Sequence, residues 1–144
     1  MSALHVSRRT AFGLAGAASA TVALAACSNG DGKDYSGEVK FDSFERSGNY
    51  EPATKDKPAQ NVPKPVKPSQ MNEKSAAGFY AAIGYLAAAM QYLLEDLEPE
   101  PLIEFLGDSQ GNYDQFKQMK SSNLAWVINP KVVISLKTPQ PKVD

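Results

Sequence analysis

One thiol, one imidazole and a short run of carboxylates are the reactive groups this sequence offers. The thiol is Cys27 and the imidazole is His5. A single Cys closes no internal disulfide and supplies no paired thiolates for structural zinc. The acids that could act together are Asp96, Glu100 and Glu104, which follow an apolar stretch carrying Tyr85 and Tyr92. Carboxylates, tyrosines and lysines can serve as general acids or bases, and burial can shift a carboxyl far enough to make it useful. The plainer reading makes those acids a solvated face, and Phe79, Tyr85, Tyr92 and Trp126 core or pocket aromatics. No residue set specifies a reaction. The sequence names no catalytic residue, no metal and no cofactor, and the chain is read as not an enzyme.

The position of Cys27 says more than its chemistry. Residues 1–9 carry Arg8 and Arg9 and no acid, and residues 10–26, "TAFGLAGAASATVALAA", are uncharged. A basic start followed by a short apolar stretch is the pattern of an export signal. It is short for a membrane span, which needs about 20 residues. "SRRTAF" (Ser7 to Phe12) resembles a twin-arginine signal. Leu24-Ala25-Ala26-Cys27 resembles a bacterial lipobox, in which the thiol takes a diacylglycerol and cleavage leaves the Cys as the new N-terminus. Two acyl chains then make a stable anchor, at about 0.8 kcal/mol per buried CH₂.

Cleavage there would remove His5 and turn the sulfur into a thioether. The mature chain would hold no imidazole and no free thiol. That excludes Ser-His-Asp and Cys-His nucleophilic sites and His-ligated zinc or haem. The formal net charge of -1, with both signs mixed, argues against nucleic acid as a partner, because such proteins carry a basic patch or stripe. The expected partner is a membrane, through the lipid on Cys27, with the chain held on the extracytoplasmic face.

The elements that must position the remaining groups fall into two stretches. Residues 27–70 are polar and mixed in charge, with Pro52, Pro58, Pro63, Pro65 and Pro68 toward the end. Such composition buries little and reads as a disordered tether. "PKPVKP" (Pro63 to Pro68) favours extended polyproline II, as a spacer or as a ligand for a Pro-binding module. "EVKFDSF" (Glu38 to Phe44) alternates weakly, as a strand would.

Residues 71–144 read as a small domain. Ser75 to Leu94 carry no charge, and Phe79, Ile83, Leu86, Met90, Leu93 and Leu97 recur every three or four positions, which predicts one long helix. Asn72 or Ser75 would cap it. The stretch is long enough to span a bilayer. Gln91, three Tyr and two Gly dilute its apolarity, however, and the acids after it give no positive-inside signal, so a buried helix is the reading. "EPLIEFLGD" predicts a short helix with Pro101 in its first turn and Gly107 after its end. Asn112 to Trp126 predicts a third, with Tyr113, Phe116 and Met119 facing the core. "KVVISLK" (Lys131 to Lys137) predicts a half-buried strand.

The lipobox, the Pro-rich stretch and "KPSQMNEKSAAGFYAAIGYLAAAMQYL", followed by "EPLIEFLGD" and "WVINPKVVISLKT", resemble a family of actinobacterial lipoproteins of unknown function. The resemblance implies a helix-rich α+β domain like the nuclear-transport-factor-2 cone, with helices in the concave face of a curved sheet. Only one clear strand is visible for that sheet, so the cone would be incomplete. A lone strand is an open edge. It pairs with another chain, or "EVKFDSF" folds back onto it, or the chain is a truncated remnant. Three functions follow: a surface-tethered binding module, an inactive remnant, or an isomerase-like pocket enzyme. The first is the expectation carried forward.

Overall fold

Ser75 starts the long helix. Its backbone is extended and its Oγ accepts a hydrogen bond from the Gly78 N–H at 3.0 Å, which satisfies one of the donors a helix start leaves open. The computed structural model describes residues 32–107 and 113–140. The chain divides into Met1–Lys33 and Asp34–Asp144, and every described element belongs to the second unit. Arg8, Arg9, Leu24, Ala25, Ala26 and Cys27 lie outside the described residues.

Helix α1 runs Ala76–Asp96 and stops at Leu97, which turns left-handed with φ 60°. A 3-10 turn, Ser69–Asn72, packs on its start. No side chain fits at Gly78, where a Cβ would lie 2.2 Å from the Glu73 carbonyl oxygen. Helix α2 is Glu100–Leu106, with Pro101 in its first turn and Gly107 at φ 83° after it, as the sequence predicts. Helix α3 is shorter than expected, Asp114–Ser122, because Asn123 takes a left-handed conformation and ends it. Ala89 and Leu93 of α1 form a core with Leu102 of α2 and with Tyr113, while Leu86, Ile103 and Phe116 pack against it.

The expected stripe of large apolar residues is inside only in part: Leu93 and Leu97 are buried and Leu86 packs on the core. Phe79 and Met90 are 36 % and 39 % exposed, whereas Tyr85, Ala88, Ala89 and Tyr92 are buried. Small residues decide this, because they let another backbone come close. A Cβ on Gly84 would stand 3.3 Å from both the Lys40 carbonyl oxygen and the Phe41 ring.

That neighbour is the segment expected to be a tether. Tyr35, Val39, Ala53 and Val62 are buried, and residues from Asp34 on belong to the same unit as the helices. Strand β1 (Gly37–Glu38) pairs antiparallel with β4 (Ser135–Leu136), Gly37 opposite Leu136 and Glu38 opposite Ser135. The contact is lengthened by Val39 N–H donating to the Ile134 carbonyl at 2.9 Å and Tyr35 N–H to the Pro139 carbonyl at 2.8 Å. "EVKFDSF" thus folds back onto "KVVISLK", and the open edge is occupied. Strand β2 (Phe44–Glu45) pairs with β3 (Lys64–Pro65). The Pro-rich run is extended, as its composition predicts, but as a paired edge rather than a spacer; a sheet edge is where Pro is tolerated.

The helix-rich α+β class is what the structure has. Its described strands form two separate two-stranded sheets, and the curved multi-stranded sheet of a cone is not among them. By length and composition α1 is the one helix among the described residues apolar enough to cross a membrane. Its buried Tyr85–Tyr92 face makes it the central helix of this unit.

Candidate functional site

Tyr92 and Ala88 project from α1 toward the β2–β3 edge, and a cleft of about 240 Å³ lies there. Phe44, Arg46, Tyr50, Val62 and Pro63 line it, and Gln91 and Glu95 stand on the helix. The lining is mostly apolar with a few polar groups, which is the usual make-up of a small-molecule site.

The polar groups have defined states. Gln91 is the one amide in the uncharged run of α1. Its Nε2 donates to Glu95 and, at 2.7 Å, to the Pro130 carbonyl, and its Oε1 accepts from Val132 N–H at 2.7 Å. It fastens the C-terminal segment to the helix and holds the Glu95 carboxylate. Burial, then the charge and hydrogen bond of Glu95, push the Tyr50 phenol above its ordinary range. Arg46 makes no ion pair with any described residue.

A second cleft, about 220 Å³, lies past Glu95 and holds Trp126, Met119, Leu97, Pro58, Asn123 and Lys120. Trp126 donates its indole N–H to the Thr54 carbonyl at 2.7 Å. Lys120 is paired with Asp96 at 2.6 Å and Glu98 at 3.2 Å. Burial opposes the charge of this ammonium, but those two carboxylates outweigh it and hold it above its ordinary value.

The four sequence-predicted aromatics therefore do not meet in one pocket. Phe79 is exposed, Tyr92 lines the first cleft and Trp126 the second. Tyr85, with no exposed surface, is core: it packs on Phe41 and Phe105 with ring centroids 6.0 and 6.1 Å away. Its hydroxyl donates to Glu104 at 3.1 Å. Glu100 and Glu104 stand on a solvated face, as expected, and Asp96 is less exposed; all three are ion-paired there. Glu104 also pairs with Lys67, Glu100 with Lys64, and Asp96 with Lys120. The cleft residues Arg46, Tyr50 and Val62 escape sequence reasoning because they sit in a polar stretch without periodicity, and Phe44 is marked only as the end of a weakly alternating strand. Gln91 alone carried a signal, as a polar residue inside an apolar helix.

Burial first, then Glu104, raises the Tyr85 phenol well above the ordinary value of about 10. Burial first, then Asp96, does the same to Tyr92. The folded chain thus keeps protons that the unfolded chain releases. Their contribution to stability is complete below pH about 10 and is lost as pH rises toward the folded values. The thermal midpoint is expected to hold steady to that pH and then fall, with tyrosinate absorbance rising as the chain unfolds. A midpoint that stays flat well above pH about 10, with early phenol ionisation, would contradict the burial of both rings.

Neither curated proteins nor solved structures yield a match to this chain. A family model does match, over residues 48–144. That stretch contains all three helices, both strands β3 and β4, and the first cleft from Tyr50 onward. The chain therefore belongs to a family of unknown function, DUF6318.

Proposed function

We propose that this chain is an exported lipoprotein whose folded unit, held at the outer face of a membrane through Cys27, acts by binding a small ligand in the Tyr92 cleft. The observation that carries the anchoring is the sole Cys of the chain, placed directly after Leu24-Ala25-Ala26 at the end of an uncharged stretch that follows Arg8 and Arg9. The resemblance to actinobacterial lipoproteins supports the same address. Between Cys27 and Asp34 the covalent link is short, about 25 Å at full extension, so the expected long stalk becomes a leash.

Binding is favoured over catalysis by the state of the available groups. A chain beginning at Cys27 has no imidazole and no free thiol. The phenols Tyr85 and Tyr92 are pushed away from neutrality rather than toward it, and a general acid or base works best with a pKa near the operating pH. The apolar lining of the first cleft suits retention of a ligand.

Expression of the full chain in a lipoprotein-processing bacterium fed an alkyne-tagged fatty acid tests the anchor. The protein is expected to carry the tag and to sediment with membranes. Cys27→Ser is expected to lose the tag and at least about 90 % of the sedimenting fraction, since the acyl chains supply the binding energy. A tag that persists in Cys27→Ser, or an untagged and soluble parent protein, would sink the reading.

A further inference from the structure

The two clefts differ in one respect that bears on ligand class. In the second, the cation is already neutralised: Lys120 is held by Asp96 and Glu98. In the first, the cation is Arg46, which has no anionic partner among the described residues. The acid on the same cleft, Glu95, is engaged by the Gln91 amide and faced by the Tyr50 hydroxyl. An incoming ligand therefore meets a guanidinium with no ion-pair partner among the described residues, and a carboxylate that is charged but already hydrogen-bonded by Gln91.

The remaining walls are apolar and in part aromatic: Phe44, Tyr50, Tyr92, Ala88 and Val62. Aromatic walls favour a ring held between them by edge or offset contacts. At about 240 Å³ the cleft lies just below the roughly 300–1,000 Å³ of sites for drug-sized molecules, so its occupant is small. A guanidinium offers a planar fork of donors that matches a carboxylate in two parallel hydrogen bonds. A dianionic phosphate would leave one charge uncompensated and facing Glu95.

We propose that the first cleft selects small monocarboxylates with a single apolar ring or short branched body, the carboxylate on Arg46 and the body between Tyr92, Phe44 and Val62. This rests on the reading of that cleft as the binding site.

Phenylacetate, with phenylacetamide as its uncharged counterpart, tests both levels. Each is titrated into the full chain in a nonionic detergent while the NMR signals of Ala88, Val62 and the Tyr92 ring are followed. The acid is expected to shift those signals saturably and to bind about five- to tenfold more tightly than the amide, which is the scale of one charge-assisted pair. Arg46→Gln is expected to weaken the acid far more than the amide and so to erase most of that difference. Rising salt is expected to weaken the acid alone, because an exposed pair is screened. Equal binding of acid and amide to the parent protein overturns the charge selection while keeping the cleft as a binding site. That comparison needs no variant, so a fold defect in Arg46→Gln cannot obscure it. Binding of neither probe overturns the cleft reading itself.

Discussion

Tyr85→Ala is expected to lower the stability of the folded unit by about 3–5 kcal/mol, the range for truncating a large buried aromatic. The ring has no exposed surface and sits between Phe41, from the extended N-terminal segment, and Phe105, from α2. Truncation empties a space that three separate parts of the chain enclose, and none can close it alone. Domains of this size are stable by only about 5–15 kcal/mol in total, so the loss is a large share. Tyr85→Phe separates the ring from its hydroxyl. It keeps the packing and loses only the bond to Glu104, at a cost of about 0.5–1.5 kcal/mol, because Glu104 is half exposed and stays solvated and paired with Lys67. Urea unfolding followed by Trp126 fluorescence measures both. An alanine effect below about 1 kcal/mol, or equal effects of the two variants, would contradict the placement of this ring at the centre of the unit.

Residues 71–144 expressed alone are expected to give no cooperative thermal transition, whereas 34–144 is expected to melt as a unit. The shorter piece contains all three helices, and its sequence looks like a domain. Yet the buried side of α1 would lose its cover. The Lys40 N–H would no longer donate to the Tyr80 hydroxyl, a bond of 2.8 Å, and the Tyr35 ring, 5.1 Å from that of Tyr80, would be absent. Phe41 would leave Tyr85, and the cleft that Tyr92 and Ala88 line would lose Val62 and Pro63. Strand β4 would have no partner, and Glu100 and Glu104 would lose Lys64 and Lys67. Helices hold in proteins chiefly through such packing, not through propensity alone. Far-UV circular dichroism melts of the two pieces decide the matter. A sharp transition in 71–144 would show that the N-terminal segment is an accessory.

By itself the sequence determined whatever depends on local spacing and on residue chemistry. The uncharged run from Ser75 placed α1, with Asn72 and Ser75 as candidate caps of which Ser75 is the one, Pro101 and Gly107 bounded α2, and the alternation over Lys131–Lys137 marked a strand region of which Ser135–Leu136 pairs as β4. The lone Cys27 and its setting in the first 27 residues drew the export and anchoring proposal without any coordinates. Tertiary structure decided which face of α1 is inside and what covers it. Periodicity pointed to the large apolar residues, of which Leu93 and Leu97 are indeed buried, but close approach of the backbone at Lys40 and Phe41 needs Gly84, and Tyr85 and Tyr92 are inside as well. Residues 34–66 look disordered by composition because their few buried side chains, Tyr35, Val39, Ala53, Val62 and Pro65, are mostly far apart and set no sustained period. They are ordered where they pack on α1 and pair with β4, contacts that lie far off in sequence. The cleft arises the same way, from Arg46 and Tyr50 meeting Tyr92 and Glu95 across more than forty residues of chain, a juxtaposition that no local pattern encodes.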